Sequence, residues 1–195
     1  TVADIQAVAK ELFQKQKYGS AQKQFSKIIS HHVPNDLVRI DAEYYSALCA
    51  LELFNKDAEL LLKDFIANHP ESPRVQTAYF HLGKYNYRKK QYNKSLNWFS
   101  KVDVYDLSNE ELSELYFKRG YSYFEEDSIA SAKKDFFEIK DVDNKYAAPA
   151  TYYFGHISYL EKNYQTALHH FNKLKRNENF NPIVPYYIAQ IFYLQ

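Results

Sequence analysis

The residues best suited to chemistry in this sequence are its single cysteine and its seven histidines. Four of the histidines form two adjacent pairs, His31-His32 and His169-His170. Neighbours on a helix point about 100° apart, so neither pair chelates a metal well alone. Cys49 lies within an apolar helical pattern, where a buried and inert thiol is expected, because a nucleophilic cysteine needs an exposed, electropositive setting. We therefore predict no metal site and no cysteine chemistry.

No short catalytic or cofactor motif is present in the sequence. It contains no GxGxxG or GxxxxGK[ST] phosphate-binding loop and no HExxH, CxxC or GxSxG motif. We expect no cofactor and no enzymatic activity. An enzyme, the third alternative, would need a constellation of side chains from several helices that no local motif indicates.

Charge and hydropathy argue against two large classes of partner. The chain has 25 basic and 24 acidic residues, for a net charge of +1. The basic runs at 88–90 and 173–176 lie at helix ends, where they complement the helix dipole. We expect no nucleic-acid partner, which would call for a surplus of positive charge. No apolar run reaches the roughly 20 residues that span a bilayer, so we expect no direct membrane span.

The composition indicates a helical protein rich in aromatic side chains. There are 19 Tyr and 14 Phe among 195 residues, too many for a disordered chain, and only 4 Gly and 6 Pro. This scarcity of turn-forming residues favours helices over a many-stranded sheet. Apolar residues recur at helical spacing in segments such as IQAVAKELFQKQ and SAQKQFSKIISHH. These helices must position whatever surface the protein uses.

The stretch 76–109, QTAYFHLGKYNYRKKQYNKSLNWFSKVDVYDLSN, shows how the helices are organised. Counted from its first residue, the stretch carries an aromatic at place four, Leu-Gly at seven and eight, a tyrosine at seventeen, a small residue at twenty, an aromatic at twenty-four and an aliphatic at twenty-seven. These are Tyr79, Leu82, Gly83, Tyr92, Ser95, Phe99 and Val102. This layout resembles the tetratricopeptide repeat (TPR), a helix–turn–helix unit of about 34 residues.

Similar units begin near residues 2, 42, 76, 113, 148 and 182, at spacings of 40, 34, 37, 35 and 34. The resemblance implies an all-α, right-handed solenoid of antiparallel helix pairs, with about five repeats and a further first helix. We expect one such array over residues 1–195. The copy that begins near 42 is the weakest, because Leu61 replaces the small residue at place twenty and the turn at 55–57 is shortened.

Three of the four glycines, Gly83, Gly120 and Gly155, fall at place eight. Glycine inside a helix costs roughly 1 kcal/mol relative to alanine, so a packing requirement is the expected reason for keeping it there. We predict that place eight contacts the small residue at place twenty of the same unit, which lets the two helices approach closely.

The resemblance also implies where a partner would bind. In TPR proteins the first helices line a concave groove, chiefly through places two, five, six, nine, twelve and thirteen. In copies 3 to 6 the residues at these places are mostly aromatic, which suits a protein-binding surface. The predicted groove residues are Phe80, Lys84, Tyr87, Arg88, Phe117, Lys118, Tyr121, Phe124, Tyr152, Tyr153, His156, Tyr159, Tyr186, Tyr187 and Tyr193.

A competing interpretation is that these rings pack against the next repeat. At place five we favour packing, whereas at places nine and twelve the two interpretations stay open. The groove cations Lys84, Arg88 and Lys118 favour an acidic or carboxylate-bearing segment. In chaperone-cofactor relatives the groove binds a C-terminal carboxylate through Lys at place five and Asn at place nine. Those residues are absent here, which argues against a chaperone-tail partner.

One segment resembles a narrower group. FIANHPESPRVQTAYFHLGKYNY combines Pro-x-Ser with Ala-Tyr-x-x-Gly and is similar to repeats of bacterial cell-envelope proteins, namely outer-membrane assembly lipoproteins and the periplasmic coordinator of the Tol system. This favours a periplasmic or outer-membrane-associated location over a cytoplasmic one. We also expect the sequence to be a fragment of a longer protein. The apolar end IAQIFYLQ makes self-association, as an assembly module, the second functional hypothesis.

Overall fold

The computed structural model describes residues 2–195 and contains, within them, eleven α-helices, one short 3-10 helix and no strand. The all-α prediction is therefore confirmed for this part of the chain. The helices are α1 Val2–Gln14, α2 Tyr18–His31, α3 Leu37–Glu52, α4 Ala58–Asn68, α5 Val75–Arg88, α6 Tyr92–Phe99, α7 Asn109–Glu125, α8 Ile129–Ile139, α9 Ala147–Leu160, α10 Tyr164–Leu174 and α11 Val184–Leu194. The 3-10 helix, Val104–Asp106, lies between α6 and α7.

The chain divides into two compact units, one that ends at Tyr85 and one that begins at Asn86, so the boundary lies within α5. In the first unit α1 packs on α2, α2 on α3 and α3 on α4. In the second, α6 packs on α7, and each helix from α7 to α10 packs on the next. Contacts between consecutive helices are what a stack of helix–turn–helix units requires.

The core of both units is built from one buried triplet in each second-helix segment. A small residue is followed four and seven positions later by two large apolar residues, a spacing that places them on one face of a helix. Val102 is the exception, because it lies three residues beyond the end of α6. The triplets are Ala21/Phe25/Ile28, Ala58/Leu62/Phe65, Ser95/Phe99/Val102, Ala132/Phe136/Ile139 and Ala167/Phe171/Leu174.

The second copy differs from its sequence-based alignment. The residue at its small place is Ala58, fully buried, whereas Leu61 lies on the surface. Ala58 follows the place-eight residue Cys49 by nine positions, and the corresponding distance from Gly120 to Ala132 is twelve. The turn is thus shorter by three residues, as its sequence suggested, but the helix α4 shifts with it. Aligning Leu61 with place twenty was wrong because that alignment kept the ordinary turn length.

Two first helices begin earlier than the repeat register predicted. Helix α3 begins at Leu37 instead of near 42, because the Asp36 carboxylate accepts a hydrogen bond from the Val38 amide at 2.8 Å. Helix α7 begins at Asn109 instead of near 113. There Ser108 and Glu111 form a capping box, in which each side chain accepts a hydrogen bond from the other's backbone amide.

Candidate functional site

Four tyrosine rings from four helices of the second unit meet in one cluster, which we call the tyrosine cluster. It consists of Tyr87, Tyr92, Tyr121 and Tyr153. The centre of the Tyr121 ring lies 5.8 Å from that of Tyr87, 5.8 Å from that of Tyr92 and 5.3 Å from that of Tyr153. The three ring pairs are close to perpendicular, which is a preferred geometry for aromatic contacts.

Tyr92 and Tyr153 each form a side-chain hydrogen bond with Tyr121. Burial, followed by a hydrogen bond and charge repulsion from Glu125, raises the pKa of Tyr121. Burial also raises the pKa of Tyr87 and of Tyr153, and the negative charge of Glu125 adds to both shifts. The phenols therefore stay neutral at physiological pH and present O–H donors and ring faces around one carboxylate.

Further aromatic side chains extend from the tyrosine cluster along α7, α9 and α11. We call this extension the aromatic strip, which consists of Phe124, His156, Tyr159 and Tyr187. Their ring centres are 6.0 Å apart for Phe124 and His156, 5.2 Å for His156 and Tyr187, and 5.3 Å for Tyr159 and Tyr187. Burial lowers the pKa of His156, and its buried Nδ1 has no hydrogen-bond partner. The strip therefore places a neutral imidazole among rings.

Three of the predicted place-five residues, Phe80, Phe117 and Tyr152, are used for packing. Phe80 is 1% exposed, so its prediction as a groove residue was wrong: an apolar ring that is enclosed by the core offers no surface to a partner. Phe117 stacks on Tyr146 at 5.4 Å, and Tyr152 stacks on Phe180 at 5.1 Å. Both rings bridge neighbouring segments of the second unit, in line with the packing interpretation for this place.

At place six, Tyr153 and Tyr187 pack against the core and also belong to the tyrosine cluster and the aromatic strip, respectively. Tyr153 stacks on Phe136 at 5.3 Å, and Tyr187 stacks on Phe171 at 5.4 Å. In both cases the partner is the place-twenty-four phenylalanine of the preceding repeat. One face of each ring is thus held by the core while the ring edge contributes to the cluster or the strip.

The predicted groove cations differ in their surroundings. The Lys118 ammonium forms an ion pair with Glu114 at 2.7 Å and lies 5.3 Å from the centre of the Tyr87 ring. In the first unit the Lys84 ammonium lies 5.0 Å from the centre of the Phe80 ring. Arg88 is exposed at the end of α5. Glu114 already balances the charge of Lys118, and the preference of the groove cations for an acidic segment stays a prediction.

On α11 the predicted residues are exposed to different degrees. Gln190 links two of the tyrosines: its amide oxygen accepts a hydrogen bond from the Tyr159 hydroxyl at 2.8 Å, and its amide nitrogen donates to the Tyr186 hydroxyl at 2.7 Å. Tyr186 is 61% exposed and Tyr193 is 90% exposed. Tyr186 thus adjoins the strip through Gln190, whereas Tyr193 is almost fully in solvent.

Sequence reasoning missed three groups of residues. Tyr92 occupies place seventeen, which the sequence identifies only as a signature position of the repeat. Glu125 belongs to an acidic run at 125–127, a signal that charge patterning could have found. In the first unit, Asp41 pairs with Lys10 at 2.7 Å and with Arg74 at 2.9 Å.

Asp41 and Arg74, together with Leu37, Ile40 and Pro73, line a surface cavity of about 480 Å³. The Arg74 guanidinium also lies 5.2 Å from the centre of the Tyr44 ring. The cavity could not be predicted from the sequence, because several of its lining residues belong to the poorly aligned second copy.

Among residues 2–195 no group of three His, Cys, Asp or Glu side chains is arranged to hold a metal ion. Cys49 is fully buried, and burial raises the pKa of its thiol to about 12. Such a thiol stays protonated and inert at neutral pH. No helix within residues 2–195 is both long and apolar enough to cross a bilayer.

Comparison with solved structures decides the fold. A double mutant of MamA RS-1 aligns with a TM-score of 0.71 and 15% identity, over 92% of this chain and 96% of that chain. A Podosopora anserina putative kinesin light chain with nearly identical TPR-like repeats aligns with a TM-score of 0.64 and 9% identity, over 89% of this chain and 92% of that one. This chain has a TPR-like fold.

A third TPR-like structure covers even more of the chain. It is a thermophilic TPR protein of Thermus thermophilus, with a TM-score of 0.54 and 16% identity over 98% of this chain and 99% of that one. No family model and no curated protein matches the sequence. At these identities the TPR-like neighbours establish the all-α solenoid fold, and the function has to be argued from the side chains of this chain.

Proposed function

We propose that the protein is a non-enzymatic scaffold that binds an extended segment or helix of another protein. The binding surface comprises the tyrosine cluster and the aromatic strip of the second unit. The observation that carries the proposal is the uninterrupted series of ring contacts from Tyr87 through Tyr121 and Tyr153 to α9 and α11. TPR-like solenoids commonly bind partners on the surface lined by their first helices.

The chemistry of this surface suits a polypeptide. Tyrosine offers a large contact area at low conformational cost, and its hydroxyl can hydrogen-bond to a partner's backbone. Tyr159 and Tyr186 present hydroxyls that the Gln190 amide orients. The Tyr153 and Tyr187 rings are held in place by stacking on Phe136 and Phe171, so these two rings would lose little conformational entropy when a partner binds.

The test is a selection from a random peptide library on the immobilised protein, followed by titration of the selected peptides. We expect Tyr121→Ala and Tyr159→Ala to weaken binding about tenfold or more, as truncation of a central interface aromatic does. Tyr105→Ala is the matched control, because Tyr105 is 92% exposed and lies outside the cluster and the strip. Circular dichroism and melting temperature verify the fold of each variant. Equal affinity for all three folded variants would rule out the proposed surface.

A second candidate function is self-association through α11. It is favoured by a set of large apolar side chains on this helix, since Phe192 is 68% exposed and Leu194 is 53% exposed. Two copies could bury this face against each other. Sedimentation velocity tests the idea: a dimer in the wild type that is lost in Phe192→Asp supports it, whereas a monomer at all accessible concentrations eliminates it.

We further propose a location at the bacterial cell envelope. The proposal rests only on the resemblance of the segment around Pro70-Glu71-Ser72, which lies between α4 and α5. Fractionation of cells that express the complete gene product tests it. Recovery of the protein in the cytoplasmic fraction, with a periplasmic marker correctly separated, would refute the assignment.

A further inference from the structure

Helix α7 ends in a run of negative charges that opposes its own dipole. Glu125, Glu126 and Asp127 occupy its C-terminal end, and its last turn contains no basic residue. The C-terminus of a helix carries partial negative charge, so acidic side chains there destabilise the helix. By contrast, α5 ends in Arg88, the residue type that the dipole favours. A compensating role is therefore expected for the acids of α7.

Two of the three acids have evident structural roles. The Glu126 carboxylate accepts a hydrogen bond from the Asn93 side chain at 2.6 Å. Asp127 adopts a left-handed backbone conformation with φ of 55°, which aspartate tolerates better than most residues and which turns the chain into α8. Glu125 has neither role. Its side chain is exposed, and no Lys or Arg within residues 2–195 forms an ion pair with it.

Glu125 instead faces the tyrosine cluster. It follows Tyr121 by four residues on α7, so the two side chains share one face of the helix. Tyr121 in turn contacts the other three rings of the cluster. A single carboxylate without a countercharge therefore stands beside four aromatic rings, at the negative end of a helix.

From this juxtaposition we propose that Glu125 and the tyrosine cluster bind a cationic side chain, Lys or Arg, of the partner polypeptide. The inference rests on the proposed function and specifies the chemistry of the partner. Three features favour a cation at this place: the carboxylate, the dipole of α7 and the negative faces of the rings. Tyrosine hydroxyls can also accept hydrogen bonds from an ammonium or guanidinium group.

The molecule itself shows that an ammonium group packs against this cluster. The Lys118 Nζ lies 5.3 Å from the centre of the Tyr87 ring, while Glu114 balances its charge at 2.7 Å. Glu125 supplies the equivalent countercharge on the next turns of the same helix, without a cation of its own. The arrangement around Tyr87 is thus repeated around Tyr121, with the place of the cation left to a partner.

The direct test uses small probes and the complete chain. Nuclear magnetic resonance of ring-labelled tyrosine is recorded during titration with Nα-acetyl-lysine amide, Nα-acetyl-arginine amide and the uncharged isostere Nα-acetyl-norleucine amide. We expect saturable shifts at the four cluster tyrosines for the lysine or the arginine probe and none for norleucine. The stronger of the two charged probes identifies the preferred cation. Equal shifts with norleucine, or no saturable shift with either cation, overturn the proposal.

A matched pair of variants isolates the carboxylate. Glu125→Gln keeps the size of the side chain and removes its charge. We expect it to weaken the binding of the cationic probe by about fivefold. Glu126→Gln changes the neighbouring acid and keeps an acceptor for Asn93, so we expect unchanged affinity. Because Glu125 opposes the dipole of α7, its replacement should not lower the melting temperature. Equal affinities of the two variants would contradict the role of Glu125.

The same variants separate this inference from the proposed function. If peptides selected on the wild type depend on Tyr121 but bind Glu125→Gln equally well, the scaffold function stands and the cation site fails. If the lysine probe binds through Glu125 but no polypeptide is selected, the cation site stands and the scaffold function fails. Both proposals stand only if the selected peptides carry a basic residue. Replacement of that residue must then remove the difference in peptide affinity between the wild type and Glu125→Gln.

Discussion

The glycines at place eight show what a single missing methyl group does in this fold. A Cβ atom on Gly155 would lie 3.1 Å from the His170 Cβ and 3.1 Å from the Phe171 Cε1, and Gly120 meets Asp135 and Phe136 at the same distances. The sequence predicted close packing of place eight on the second helix of the same unit, and the atoms nearest to the added Cβ belong to places twenty-three and twenty-four.

Two glycine-to-alanine substitutions should have opposite effects on stability. Gly155→Ala inserts a methyl group against the Cβ of His170, which cannot move without its helix, so we expect the free energy of unfolding to fall by about 1–2 kcal/mol. Gly19 has no atom within 4 Å of its added Cβ, so Gly19→Ala should raise it by up to about 1 kcal/mol. Urea denaturation measures both values. A stabilised Gly155→Ala would show that α9 and α10 separate at little cost.

The buried His170 and the half-buried His156 should make stability depend on pH. Burial lowers the pKa of both His156 and His170 in the folded protein, whereas an unfolded histidine titrates near pH 6.5. Below that pH the unfolded chain binds more protons, so stability is full above about pH 6.5 and is lost as the pH falls toward the folded pKa values. We expect the melting temperature to decrease between about pH 7 and pH 5.5.

Substitution of one histidine tests the source of this pH dependence. His170→Gln should make the melting temperature vary less with pH in that range, because one of the groups that gain a proton on unfolding is removed. His31→Gln, at an exposed position of the first unit, is the control and should leave the dependence as in the wild type. Identical pH profiles for all three proteins would assign the effect to other groups.

At the scale of elements, the turn within each helix pair repeats an unusual backbone conformation. The structure has left-handed φ values at Gln16, Phe54, Lys90, Asp127 and Lys162, one at the end of each first helix from α1 to α9. Glycine is the usual residue in such a helix-ending position, because a side chain there costs about 1–2 kcal/mol. This chain has three of its four glycines at place eight instead, so its turns carry strain.

Relief of that strain should stabilise the protein. We expect Lys162→Gly, at a φ of 61°, to raise the free energy of unfolding by about 0.5–1 kcal/mol. Lys175→Gly is the matched control, since Lys175 also ends a helix but has a right-handed φ of −54°. There glycine only adds flexibility to the unfolded chain, and stability should fall. A loss of stability in both variants would mean that the Lys162 side chain makes contacts that outweigh the strain.

The elements were predictable to different extents for physical reasons. Helix pairs could be predicted because apolar spacing and repeat length are local properties, and the regular copies begin at Val2, Val75 and Ala147, close to the expected residues. Helices α3 and α7 begin early because Asp36 and Ser108 cap them. A repeat template does not contain such caps and therefore predicts a later start. The tyrosine cluster joins residues of α5, α6, α7 and α9, and a contact across four elements has no signature in any one of them.

At the scale of the whole molecule, stability should be transmitted only between neighbouring repeats. In both units each helix packs mainly on the helices before and after it in the chain, as in other repeat proteins. The buried triplets are therefore alike in chemistry, but each is expected to stabilise only its own helix and the neighbouring helices. Phe25 and Phe171 occupy the same place in two of these triplets, and both are fully buried.

These two phenylalanines provide a symmetrical test by hydrogen exchange. Phe171→Ala removes a ring that stacks on Tyr187 and should cost about 3–5 kcal/mol, with faster amide exchange in α9, α10 and α11 and little change in α1 to α3. Phe25→Ala should do the reverse, because its stacking partner Tyr45 lies on α3. Mass spectrometry of exchanged peptides reads out each helix separately. Uniform acceleration along the chain in either variant would show that the array unfolds as one cooperative unit and that nearest-neighbour coupling alone does not describe it.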